Sequence, residues 1–409
     1  MSIVLPTYRG AIILVAAIAS LGIALVNVGL GTALTAASML AIVISSFIMA
    51  LFSLSKLEVK RLNHRDGIRR DDLMLPLQIT NHSFWNQQSM VVNERCPFAE
   101  RGKFSSILPA LAAGESFTLE RHVTPTRRGY FKLNRVSLIS GDPAGLFYRK
   151  RNFKLPTELM IFPKPINNAW LPLRLKHHAI ADIDGRSLGR SGQGQDFFGV
   201  REYRRSDEYR LIDWKATASK RQLMVKEFEA NAIDQVIVLL DTEQANIGFD
   251  PGDNNFEFLI ETAASITEYM AEMYCRYKFF TADGNQNIRL SGYSSNIKEP
   301  IINALALLHA GNISLEHQLS ECVDYIHPNS IFYCLSMSNP KPLQPIFELL
   351  RERDIDVRWI YAPPQCFPVI DPEKPRRIRR GAVTIDNSHG INPAICTFQS
   401  DIGVILRNE

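Results

Sequence analysis

No two of the six cysteines in this 409-residue chain (Cys96, Cys275, Cys322, Cys334, Cys366 and Cys396) form a Cys-x-x-Cys pair. No paired histidine spacing accompanies them, which excludes a locally assembled zinc site. Strong charge is missing as well. Lysine and arginine outnumber aspartate and glutamate by only 4, less than a polyanion-binding specialist carries, so nucleic acid is not an expected partner. There is no Gly-x-Ser-x-Gly elbow for a nucleophile. Ser191-Gly192-Gln193-Gly194 lacks the Gly-Lys-Ser/Thr ending of a phosphate loop and follows no apolar strand, so it reads as a turn. His177 and His178 are neighbours without a third ligand and read as surface residues. Several cysteines lie in apolar runs such as 331–335, which suits buried thiols in a reducing compartment and points to the cytoplasm.

Charge is absent altogether between residues 11 and 55. As one helix that stretch would be roughly 68 Å long, about twice a bilayer core, so it must turn back. The break falls at 27–32 (NVGLGT), leaving apolar runs at 11–26 and 33–54. A cleaved signal peptide would lead into polar sequence, but here a second apolar run begins at once. Arg9 precedes the pair, Lys56, Lys60, Arg61 and Arg65 follow it, and the loop between is uncharged. That asymmetry predicts two spans with both termini cytoplasmic. Small residues in the second run (Gly31, Ala33, Ala36, Ala37, Ala41, Ser45 and Ser46) suit close packing within the hairpin.

Beyond the hairpin (1–55), short alternating runs separated by Asn, Gly and Pro over 56–166 predict an antiparallel β domain of sandwich type. From 231 to 365 the pattern becomes strand, helix, strand, helix. The apolar run 236–240 ends at Asp241, 256–274 is amphipathic, and 331–335 and 357–361 read as strands, which together predict a doubly wound α/β domain. Between them, 167–230 is a linking segment whose 196–229 portion has eight basic and seven acidic residues, interleaved with Phe197, Phe198, Tyr203, Tyr209, Trp214 and Phe228. That is the composition of a pairing network packed on aromatic faces. Residues 366–409 read as a weakly patterned tail. Its Lys374-Pro375-Arg376-Arg377-Ile378-Arg379-Arg380 is either a solvated basic loop or a contact for anionic lipid.

Two blocks carry a family resemblance. One is Thr124-Pro125-Thr126-Arg127-Arg128-Gly129-Tyr130 followed by Gly141-Asp142-Pro143-Ala144-Gly145-Leu146-Phe147. The other comprises residues 191–197, Arg201-Glu202-Tyr203, Asp207, Arg210, Ile212-Asp213-Trp214 and residues 225–229. With the two apolar spans, the chain resembles the bacterial family called domain of unknown function 58, although Ser206 and Ala144 depart from its usual pattern. The resemblance implies an inner-membrane protein with a von Willebrand factor A-like domain. Its implied partners are a MoxR-type AAA+ ATPase and a transglutaminase-like membrane protein.

A von Willebrand A domain commonly holds Mg²⁺ through Asp-x-Ser-x-Ser at the end of its first strand, where this chain reads Asp241-Thr242-Glu243-Gln244-Ala245. No cofactor is therefore expected, and Asp241 with Glu243 is left as a degenerate place for Mg²⁺. Arg201, Glu202, Tyr203, Asp207, Arg210, Asp213 and Trp214 are read either as a latch between domains or as a partner-docking surface. No carboxylate in the block stands in a recognisable nucleophile arrangement. The expected role is a membrane-tethered, non-enzymatic adaptor or scaffold for complex assembly or envelope maintenance. The alternative is an envelope-metabolism enzyme using the carboxylate-rich 196–229 segment.

Overall fold

The computed structural model describes residues 2–26, 29–166, 197–203, 212–228 and 235–408, except 249, 251, 274, 329, 339–340, 372–373, 379–392 and 399. The chain divides into two compact units, Met1–Lys164 and Pro165–Glu409.

The first unit runs β1 (Ser2–Pro6), α1 (Tyr8–Val26), α2 (Leu30–Phe52), β2 (Leu57–Arg61), β3 (Gly67–Ile68), β4 (Leu73–Met74), β5 (Leu77–Asn81), β6 (Met90–Arg95), β7 (Lys103–Leu108), β8 (Ser116–Leu119), β9 (His122–Val123), β10 (Gly129–Gly141) and β11 (Phe147–Phe162). Helices α1 and α2, of 19 and 23 residues, are long and apolar enough to cross a membrane. Their hydroxyls do not compete with the helix. Ser20, Thr35, Ser38 and Ser45 each donate to the carbonyl three residues back, at 2.9–3.0 Å, so polar groups are satisfied internally, as hydrocarbon requires. Ala17, Val43 and Ala50 meet Leu146 and Phe147 in one buried cluster.

Strand β1 precedes the helices and pairs antiparallel with β11, Ser2 opposite Arg151 and Pro6 opposite Phe147. Strand β2 follows the helices and pairs with β5. Both ends of the hairpin are therefore built into one β unit. The larger sheet has the order β1-β11-β10-β6-β7, and a smaller one β2-β5-β8. Alternation in β2 and β5 points Leu57, Val59, Leu77 and Ile79 into the cluster that also takes Met90, Val92, Val136 and Leu138 from the larger sheet. A buried carboxylate, Glu94, lies beside it and binds Arg61 at 2.5 Å and Arg121 at its other oxygen.

The second unit continues with β12 (Phe197–Glu202), α3 (Trp214–Lys220), β13 (Met224–Phe228), β14 (Gln235–Leu240), α4 (Asn255–Met273), β15 (Arg276–Asp283), β16 (Gln286–Tyr293), α5 (Ser294–Leu307), α6 (Leu315–Val323), β17 (Ser330–Ser336), α7 (Gln344–Glu352), β18 (Asp356–Tyr361), β19 (Pro368–Asp371), β20 (Lys374–Ile378), β21 (Ala394–Ile395) and α8 (Ile402–Asn408). Its main sheet has the order β16-β15-β14-β17-β18-β21. It is parallel except at the edge, where β16 runs against β15. Every residue of β14 and β17 is buried, as expected where helices cover both faces. Val236, Val238 and Leu240 pack with Leu259 of α4, Leu305 of α5 and Leu406 of α8. Ile237 and Leu239 pack on the other face with Leu319 of α6 and Phe347 of α7.

One expectation changes here. The stretch 366–409, read as a tail, supplies strand β21 beside β18 and helix α8, whose Ile402 and Leu406 are buried in the core. A two-residue strand and a seven-residue helix are too short to show a periodicity. Strand β16, a polar edge, and helix α6 lie where the sequence carries no expectation.

Candidate functional site

The signature segment forms a small module of its own. Strands β12 and β13 pair antiparallel, with Arg201 opposite Val225 and Glu202 opposite Met224. Between them Asp213 turns the chain into α3. One of its carboxylate oxygens accepts the N–H groups of Lys215 and Ala216, both at 3.0 Å, the ordinary N-cap of a helix start. Its own N–H donates to Met224 O at 2.8 Å. At the far end Arg221 takes the left-handed conformation that closes the helix, φ 53°, and Thr217 Oγ1 accepts from Met224 N at 2.9 Å. Ile212, Met224 and Val225 are buried beneath.

Trp214 is the first residue of α3 and is 68% exposed. Glu202 is exposed and Tyr203 partly so, Tyr203 N donating to Leu223 O at 2.8 Å. Arg201 is placed in β12 by its backbone. Asp207 and Arg210 lie outside the described residues. The structure thus brings Glu202, Tyr203, Asp213 and Trp214 into one module.

The second place is the C-terminal end of β14. Asp241 is fully buried. Its Oδ1 accepts from Glu243 N at 3.0 Å, and its Oδ2 from Met337 N (2.8 Å), Ser338 N (3.1 Å) and Ser338 Oγ (2.7 Å). Burial pushes its carboxyl above the usual range, while these four bonds pull it back. Glu243 Oε2 accepts from Asn246 Nδ2 at 2.9 Å and lies 3.2 Å from Ser338 Oγ. Burial first, and the charge of Asp241 next, raise its pKa too. Below them Asn255, also fully buried, ties the Asn246 and Ala362 carbonyls together and accepts from Gly248 N.

A divalent ion takes carboxylate lone pairs and several further oxygens. Here both oxygens of Asp241 already serve protein donors, and Glu243 and Ala245 stand where two hydroxyls would be needed. The donor set does not fit Mg²⁺. Among the described residues, no three His, Cys, Asp or Glu side chains are grouped to hold a metal. The sequence identified Asp241 and Glu243. With Asp241 it also placed the loops after Leu335 and Tyr361 on one candidate face, and Ser338 lies in the first of these; it did not single out Asn246, three positions from Glu243, or Asn255, the first residue of α4.

None of the six cysteines takes part in a disulfide. Burial pushes Cys96 up to about 11 and Cys322 up to about 12, so both stay protonated and unreactive near neutral pH.

The chain thus combines two apolar N-terminal helices, antiparallel β-sheets and an α/β sheet, with an exposed tryptophan module next to the latter in sequence. Residues 199–274, from within β12 to the end of α4, match the family model described as "Protein of unknown function DUF58", which bears out the family resemblance on that segment. The chain is also similar to "Uncharacterized protein YeaD" of Bacillus subtilis (strain 168), 25% identical over 151 residues. That match covers 37% of this chain and 35% of the relative, so it spans about a third of the relative's length. Two solved structures align in part. One is a Pseudomonas fluorescens alkylpurine DNA glycosylase AlkC bound to DNA containing an abasic site analog, with TM-score 0.18 and 12% identity, covering 33% of this chain and 40% of that one. The other is a beta-glucosidase from Paenibacillus barengoltzii, with TM-score 0.16 and 10% identity, covering 29% and 16%. At such scores neither informs the fold.

Proposed function

We propose that this protein is a membrane-tethered, non-enzymatic adaptor. In this reading two spans hold it in the bacterial inner membrane with both termini cytoplasmic, a β-sandwich spaces it, and a von Willebrand A-like domain carries the docking module. The strand order of the main sheet, third-second-first-fourth-fifth-sixth with helices on both faces, supports the von Willebrand A-like reading. The positive residues that flank the uncharged hairpin support the orientation.

The observation that carries the docking role is Trp214. A tryptophan on the first turn of a capped helix, 68% exposed, adds no core packing, whereas interface hot spots are enriched in tryptophan. The proposed partner is a MoxR-type AAA+ ATPase, with a transglutaminase-like membrane protein as a second member of the assembly. Urea unfolding and capture of the purified ATPase, measured on the wild type and on Trp214→Ala, test this. Loss of capture with the unfolding midpoint unchanged supports docking. A destabilised variant, or one that captures normally, counts against it.

A further inference from the structure

The loop between β5 and β6 shows apolar rings to solvent from a rigid base. Its foundations are buried: Asn81 and Gln87 are 0% and 2% exposed. Asn81 Nδ2 donates to Trp85 O at 3.0 Å and to Ala112 O at 2.9 Å, and Asn81 Oδ1 accepts from Ser83 N at 3.0 Å. Gln87 Oε1 accepts from Leu54 N at 2.8 Å, which fastens the loop to the chain just leaving α2. Above this base Phe84 is 85% exposed and Trp85 48%.

A loop so well held has no folding reason to display two aromatic rings. Their neighbours suggest one. The Trp85 ring meets that of Phe52, the last residue of α2, edge to face at 5.5 Å between centroids. Lys56 Nζ lies 5.0 Å from the centre of the Phe84 ring. Arg149 Nη1 donates to Ser53 O at 2.6 Å, and Arg151 Nη1 to Leu54 O at 2.8 Å. Rings, a lysine and two arginines therefore gather at the level where α2 ends. Tryptophan is enriched where hydrocarbon gives way to headgroups, and basic side chains there favour anionic lipid.

We infer that the Phe84–Trp85 loop is a third membrane contact, seated in the headgroup region of an anionic phospholipid bilayer beside the end of α2. This rests on the reading of α1 and α2 as spans. The loop continues the apolar surface of α2, and Lys56, Arg149 and Arg151 around it complement an anionic leaflet, so a bilayer suits it better than a protein partner. A lipid-seated loop also fixes the height of the β unit above the membrane, which a two-helix tether alone leaves free to tilt.

The test uses the full chain in vesicles of phosphatidylcholine and phosphatidylglycerol at 3:1, with the phosphatidylcholine brominated either near the glycerol or near the chain ends. Bromine near the glycerol should quench part of the tryptophan emission, and Trp85→Phe should abolish that part. Phe84→Gln, at a side chain with little packing, should reduce it at least twofold. Alkaline extraction of the same vesicles separates the two claims. Protein that resists extraction, yet shows equal quenching in wild type and Trp85→Phe, overturns the loop contact and leaves the spans standing, with the loop then facing water or another protein. Protein released by alkali overturns both.

Discussion

Asp213 and Trp214 are adjacent, yet their removal should have opposite consequences. Asp213→Ala deletes the cap of α3 and should cost about 1 kcal/mol in urea unfolding. Trp214→Ala removes an exposed ring and should stay within about 0.5 kcal/mol. At the end of β14, millimolar Mg²⁺ should move the melting temperature of the full chain by less than about 1 °C, since stabilisation requires an occupied site. A rise of several degrees that Asp241→Ala removes would contradict this. Glu243 supplies a pH signature. Its carboxyl is raised in the fold, by burial and then by Asp241, so above the ordinary glutamate range the folded state holds more protons than the unfolded chain, and stability falls as pH rises through the raised range. Glu243→Gln should therefore be more stable than wild type at pH 7 and indistinguishable from it below about pH 4. Thermal melts across that range check it. Asp241 and Glu243 were legible in the sequence because a long apolar run ends on the carboxylate. The individual bonds were not, because Ser338 lies 97 positions from Asp241 and nothing in the local sequence marks Asn246 as a donor to Glu243.

Among the elements, the turn at 141–147 explains one of the two motifs. Asp142 accepts from Ala144 N at 3.0 Å and Phe147 N at 2.7 Å, and Gly145 has φ +71°, which only glycine adopts at little cost. The start of α1 rests on this turn. Thr7 Oγ1 donates to Gly145 O at 2.7 Å, and a Cβ on Gly10 would lie 1.9 Å from Leu146 O. Gly10→Ala should destabilise the detergent-solubilised protein by about 1 to 3 kcal/mol. Gly22→Ala, with nothing within 4 Å, should be neutral or slightly stabilising. A urea series on the two variants separates them. The motif's spacing marked it in the sequence, but its role did not show, because β1 and the turn meet only through pairing across more than 140 residues. Strands β14 and β17 were legible as continuous apolar runs, since burial on both faces removes polar alternation, and β18 as a short run of Val, Trp, Ile and Tyr interrupted by Arg358. Edge strand β16 carries Gln286, Asn287 and Arg289 and offers no such run.

For the molecule as a whole, two spans and one orientation predict that a reporter fused after Glu409 is active only in the cytoplasm. Activity of a periplasm-dependent reporter at that position would reverse the orientation. The second unit begins at Pro165, whereas the α/β pattern in the sequence starts only at 231, after a linking segment whose mixed charges show neither periodicity. The membership of 394–408 in the second unit could not be read either, because its strand and helix are short and lie beyond a Pro- and Arg-rich stretch. The central claim is that a membrane-held α/β protein presents Trp214 to a partner without performing chemistry itself. Its most direct measurement is capture of a purified MoxR-type ATPase by wild type and Trp214→Ala, each reconstituted at full length and checked by urea unfolding. The account predicts capture by the wild type, at least tenfold weaker capture by the variant, and coincident unfolding curves. Equal capture by both proteins, or capture by neither, would contradict it.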